Sequence, residues 1–113
     1  MGRTVFIPHL PTRQNPVDGA WIPTISLNPA AELGELKVIC DHPSDAAPEQ
    51  FDAACVRLAK ALDLATENDY IVMAGDVVLC AYAIHCVLTF TGVANVLRWN
   101  REERQYDHIT IED

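Results

Sequence analysis

Fifteen residues, Val77 to Thr91, read VVLCAYAIHCVLTFT, and only His85, Thr89 and Thr91 among them are not apolar. The run holds no charged side chain and no proline, and it is bounded by Asp76 and Gly92. At about 1.5 Å per residue a helix of this length extends roughly 22 Å. A bilayer span needs about 20 continuous apolar residues, so the segment is expected to be a helix buried in a soluble protein. Aspartate immediately before it supplies an N-cap. A helix that is apolar on nearly every side must be covered on more than one of them, and this requirement shapes the rest of the reading.

The flanks of that run complete a unit. Tyr70 to Ala74 (YIVMA) is a short apolar strand closed by Gly75-Asp76, and Gly92 opens a second strand through Leu97 and Trp99. Strand, tight turn, buried helix and strand make a βαβ unit with parallel strands. Upstream, Leu36 to Cys40 (LKVIC) reads as another strand, followed by a loop, DHPSDAAP, rich in proline and aspartate. From Pro48 a helix runs to about Ala65, with Phe51, Cys55, Leu58 and Leu62 on one stripe. Residues 35–100 therefore form a β-α-β-α-β core.

The ends of the chain add extended segments. Arg3 to Pro8 and Ala20 to Leu27 read as strands separated by the turn signals Asn15-Pro16 and Asp18-Gly19. They are expected to pair as an antiparallel hairpin arm over residues 1–27. Asn28 to Gly34 is a short connecting helix, and residues 105–111, containing the alternating YDHITI, form an edge strand after the charged turn REERQ. The fold class is α/β: a small mixed sheet with a parallel centre, antiparallel edge strands and two main helices, in a single domain over 1–113. A helix on each face of the sheet is the expected cover. One helix per face would leave the outer side of Val77–Thr91 bare, which points to a homo-oligomer, a dimer or higher, through Val78, Tyr82, His85 and Thr89, the competing explanation being that the N-terminal arm folds over the helix.

Charge narrows the partners. Sixteen acidic residues against eight basic give a formal charge of −8, so there is no cation excess to drive nonspecific binding to nucleic acid. Cys40, Cys55, Cys80 and Cys86 form no C-x-x-C pair and read as buried small hydrophobes. A zinc site from Cys80, His85 and Cys86 is disfavoured because positions 80 and 86 point to different faces of one helix. Neither a metal nor a cofactor is expected. Free thiols suit a reducing compartment, and the first residues, MGRTVFIPHLP, lack an apolar stretch long enough for a secretory signal.

Ligands of open parallel sheets meet the carboxyl ends of the strands. Those ends deliver Asp41 and His42, then Gly75 and Asp76, then Asn100 and Arg101. With helix N-termini beside them, such residues suit a small anion or a nucleotide. Asp41 and His42 form a potential acid–base pair, Asp76 an acceptor for a ribose hydroxyl or a water, and Arg101 a phosphate contact. Each has a plainer reading: Asp76 as a cap, His42 as a loop histidine, and His85 as a hydrogen-bonded core or interface residue. No phosphate-binding glycine loop, H-E-x-x-H or G-x-S-x-G is present.

The segment DYIVMAGDVVL, the apolar helix after it, and LRWNREERQYDHITIE resemble small proteins encoded by tailed bacteriophages, and VFIPHLPTRQNPVDGAWIPTISLNPAAELGELKVI extends the likeness over nearly the whole chain. In those proteins the turn often runs Gly-Asp-Pro, where this chain has Val77. The resemblance implies a phage protein acting in the cytoplasm of an infected bacterium. It carries no catalytic residues with it. Three functions follow as expectations: a non-enzymatic accessory protein binding a host or phage component, a sponge for nucleotide signals at the strand-end edge, and a small hydrolase or nuclease using Asp41, His42 and Asp76.

Overall fold

The computed structural model describes residues 2–112, so the first and last residues of the 1–113 assignment lie outside the described residues. Seven strands and three helices follow one another as β1 (Thr4–His9), β2 (Thr12–Gln14), β3 (Trp21–Pro23), α1 (Asn28–Ala31), β4 (Glu35–Cys40), α2 (Phe51–Leu62), β5 (Tyr70–Val72), α3 (Val77–Thr91), β6 (Val93–Asn100) and β7 (Gln105–Glu112). A 3-10 turn at Pro43–Ala46 precedes α2. The main sheet has the order β4-β1-β5-β6-β7. Its first four strands are parallel and β7 runs antiparallel to β6, with Leu97 opposite His108 and Trp99 opposite Tyr106. The fold is thus the expected mixed α/β class with a parallel centre.

Two expectations are corrected. The N-terminal segment is not one arm of a hairpin edge. β1 lies between β4 and β5, parallel to both, with Ile7 opposite Val38 and Phe6 opposite Ile71. Its side chains from Val5 to His9 are all buried, as suits a strand covered on both faces, where continuous apolar character replaces alternation. Pro8 is tolerated because pairing with the short β5 ends at Phe6. The hairpin forms one step later, where Thr12–Gln14 pairs with Trp21–Pro23 as a separate two-stranded sheet.

The second correction concerns the layers. Both long helices lie on one face. Leu58 and Leu62 of α2 and Leu79, Ala83, Cys86 and Val87 of α3 share one core with Phe6, Ile71 and Val96. On the opposite face Val5, Ile7, Tyr70, Val72 and Leu97 pack against Ala30 of α1 and the half-buried Ile25, Leu27 and Tyr106. Strand order explains the asymmetry. Parallel crossovers are right-handed. The steps β4 to β5 and β5 to β6 travel the same way across the sheet, so their helices fall on the same side. The step β1 to β4 travels the other way and covers the other side, with only four residues of helix.

α3 is the best-specified element. Asp76 is its N-cap, with a carboxylate oxygen accepting the Leu79 backbone N–H at 2.9 Å, and Gly92 ends it in the left-handed region at φ 81. Leu79, Ala83, Cys86 and Val87 form its buried side. Full burial of a leucine such as Leu79 stabilises by about 1.5–3 kcal/mol. Val77, Val78 and Phe90 remain 74, 57 and 45 % exposed.

Candidate functional site

Because β1 and β5 are neighbours whose connections leave in opposite directions, the sheet has its switch point between them, the place where open α/β sheets form a ligand crevice. β1 ends at His9, and β5 leads into Gly75 and Asp76. His9 is 6 % exposed. Its Nδ1 accepts the backbone N–H of Asp76 at 2.9 Å, and its Nε2 stands 3.1 Å from the His42 carbonyl. An acceptor at Nδ1 places the ring proton on Nε2, which donates to that carbonyl. One imidazole therefore ties the carboxyl ends of β1, β4 and β5 together.

Gly75 is part of the same knot. Its φ is +78, and a Cβ there would fall onto the His9 carbonyl and within 2.8 Å of the His9 ring nitrogen. Only glycine combines that backbone with that approach. On the far side of the turn the Cys80 thiol donates to the Ala74 carbonyl at 3.0 Å. Burial raises its pKa above that of an ordinary thiol.

His42 caps the 3-10 turn. Its Nδ1 accepts the Ser44 backbone N–H at 3.1 Å, and Asp45 returns a carboxylate oxygen to the His42 N–H at 3.2 Å. The His42 ring also meets Trp21 edge-on, with centroids 5.0 Å apart. Asp45 is 8 % exposed and pairs with Arg57 at 2.6 Å. Burial alone would raise its pKa, but the bonds from Arg57 and from the His42 N–H outweigh it and hold the carboxyl below the usual range.

At the other end of the edge Asn100 organises the turn from β6 to β7. Its Oδ1 accepts the backbone N–H groups of Glu102 and Glu103 at 3.0 and 3.1 Å, and its Nδ2 donates to Asp107 at 3.3 Å. Arg101 is exposed in that turn, as is Asp41 after β4. Of the six residues expected at the edge, His42, Gly75 and Asp76 meet around His9. Asp41 is exposed next to His42, and Asn100 and Arg101 stand apart beyond β6.

Two hollows flank Gly75. One, of about 270 Å³, is walled by Pro11, Thr24, Ile25, Ser26, Met73, Ala74, Trp99 and Tyr106. The other, of about 370 Å³, is lined by His9, Pro11, Thr12, Pro43, Ala46 and Asp76. Pro11 and Gly75 border both, so the two hollows adjoin on either side of Gly75 as a divided cleft along the carboxyl edge. Trp99 meets Tyr106 edge-on at 5.0 Å and is 39 % exposed, and the Thr12 hydroxyl is buried without a hydrogen-bond partner. Sequence reasoning missed His9, Thr12 and Tyr106. The signal for His9 was its place directly after the apolar TVFIP, but a segment assigned to a hairpin edge offers no carboxyl end to the site.

Of the four residues expected at an oligomer contact, Val78, His85 and Thr89 lie on the exposed side of α3, whereas Tyr82 packs at the edge of the core. Val78, His85 and Thr89 are exposed and Tyr82 is half-buried. The Thr89 hydroxyl donates to the His85 carbonyl at 2.8 Å. Among the described residues no helix is long and apolar enough to cross a membrane.

The profile of the family described as Phage Pam3 gp32-like protein matches residues 3–113, and the chain belongs to that family. No curated protein and no solved structure matches it significantly. The resemblance to small phage proteins over nearly the whole chain is thereby shown.

Proposed function

We propose that this phage protein is a non-enzymatic accessory factor that binds a protein component of the host or the phage, inside the infected bacterium, through the cleft at the carboxyl edge of its sheet. One observation carries the reading. The edge groups best suited to chemistry are committed to holding backbone: His9 to Asp76 and His42, Asp76 to Leu79, His42 to Ser44, and Asn100 to Glu102 and Glu103. A general base must reach a substrate proton within hydrogen-bond distance, and bonds spent this way work against the hydrolase reading for His42 and Asp76, while Asp41 stands exposed beside them. What the edge presents outward is an apolar recess walled by Trp99, 39 % exposed, and beside it Trp21, 45 % exposed, against the His42 ring. Aromatic side chains of this kind are typical anchors of protein contacts.

The test is capture from host lysate with immobilised wild-type protein and with Trp99→Ala. A stoichiometric partner held by the wild type and lost by the variant supports the proposal. No partner, or equal recovery by both, overturns it.

A nucleotide-signal sponge is the second reading, favoured by the switch-point position and by the unpartnered Thr12 hydroxyl in the cleft. Mass spectrometry of small molecules released by heat, with melting curves in added nucleotides, separates the two. A released nucleotide and a raised melting temperature favour the sponge; their absence leaves the protein partner.

A further inference from the structure

We infer that the outward stripe of α3 is a self-association surface, on which two copies of this chain pack α3 against α3 antiparallel about a two-fold axis. This is independent of the cleft reading, since the stripe lies on the helical layer and shares no residue with the cleft; Val78, His85 and Thr89 are its open part, and Tyr82 also packs at the edge of the core.

The spacing of the stripe is the first support. Val78, Tyr82, His85 and Thr89 recur at intervals of four, three and four, the seam along which one helix packs against another. The stripe is also self-complementary. Turned about a point between Tyr82 and His85, it sets Val78 opposite the partner's Thr89 and Tyr82 opposite the partner's His85. A two-fold contact must repeat each pairing in this way. Thr89 already satisfies its hydroxyl within the helix, so covering it leaves no orphaned donor.

Charge is the second support for a second copy as the occupant. The 27 residues of α2 and α3 carry one acidic side chain, Asp52, and two basic ones, Arg57 and Lys60. The other 86 residues therefore hold fifteen of the sixteen acidic groups and six of the eight basic. Two copies of a chain at −8 repel wherever their acidic surfaces meet. The helical layer is the surface on which that repulsion is least. Exposed Val56 of α2 and Val77 and Phe90 of α3, at 53, 74 and 45 %, add apolar area on that layer. A seam about 22 Å long lies at the lower end of specific interfaces, so a dissociation constant in the micromolar range, roughly, is expected.

Sedimentation of the full chain across a dilution series from about 200 to about 1 μM, bracketing that constant, tests the inference. The expected species at high concentration has about twice the 12.5 kDa mass of one chain. Val78→Glu, in the first turn where a carboxylate suits the helix dipole, and His85→Glu should each weaken association at least about tenfold with unchanged circular dichroism. Leu64→Glu, off the stripe at a position 71 % exposed, should not. The register is read separately: Val78→Cys mixed with Thr89→Cys should form an intermolecular disulfide on mild oxidation, and Val78→Cys alone should not. A wild type that stays monomeric at 200 μM would leave the stripe to another protein and overturn the inference. So would a dimer that survives both glutamates.

Discussion

Nδ1 of His9 accepts the backbone N–H of Asp76 at 2.9 Å, joining residues 67 apart in sequence at the one point where the sheet changes direction. The bond fastens the N-terminus of α3 to the end of β1, while the opposite ring nitrogen fastens the loop after β4. Neither a helix cap nor a strand pairing would by itself hold these three segments together. His9→Ala would leave a part-buried N–H and a part-buried carbonyl without their partner and a hole where the ring stood. A loss of about 2–4 kcal/mol is expected, read by urea denaturation, with His9→Gln recovering part of it.

Gly75 and Gly92 offer a matched comparison. Both have φ near +80, but a side chain at Gly92 meets open space whereas one at Gly75 meets His9. Gly92→Ala should cost about 1–2 kcal/mol, the left-handed penalty alone. Gly75→Ala should cost at least about 2 kcal/mol more, because the collision is with backbone. Equal midpoints for the two variants in parallel urea titrations would contradict this account of the turn.

Asp76→Ala removes the side-chain cap of α3 and should lower stability by about 1 kcal/mol, with Asp76→Asn close to wild type. If Asp76 only caps, Asn preserves whatever partner capture the protein has. Capture abolished by Asn would instead assign the carboxylate to the binding contact.

Asp45 makes stability depend on acid. Its pKa is held below the unfolded value by Arg57 and the His42 N–H, acting against burial. The contribution is therefore fully present above the unfolded carboxylate range and disappears as pH falls through the lower folded value. Arg57 is half exposed at its side chain, so solvent screening keeps the effect modest. The stability gap between wild type and Asp45→Asn, measured by denaturation at neutral pH and again in acid, should narrow as the pH drops.

Thiol labelling reads the packing of the helical layer. Burial raises the pKa of Cys40, Cys80 and Cys86, and of half-buried Cys55 as well. In the native protein Cys55 should be modified first, with the other three protected until unfolding. Fast labelling of Cys86 would mean that α3 is less firmly seated than its contacts imply.

Local signals were sufficient for α3, for the stripe of α2 and for the β6–β7 pair. In each case the information lies within a few residues: the absence of charge between Asp76 and Gly92, the spacing of Phe51, Cys55, Leu58 and Leu62, and the alternation of YDHITI. The cleft was half legible. Its Gly75-Asp76 turn could be found because it sits beside a helix start, whereas His9 could not, because its value depends on which strands lie next to β1.

By itself, then, the sequence determined both long helices, the strands of the main sheet and the parallel centre, since periodicity and capping are properties of neighbouring residues, whereas Thr12–Gln14 reads as turn and proves to be a strand. Only the tertiary structure decided that β1 stands between β4 and β5, that both long helices share one face, and that one histidine closes the carboxyl edge. Strand order is set by the sum of many long-range contacts, none of which leaves a mark on the residues nearby. Val5 and Ile7 would look the same in an edge strand; that they are fully buried follows from what the rest of the chain lays against them.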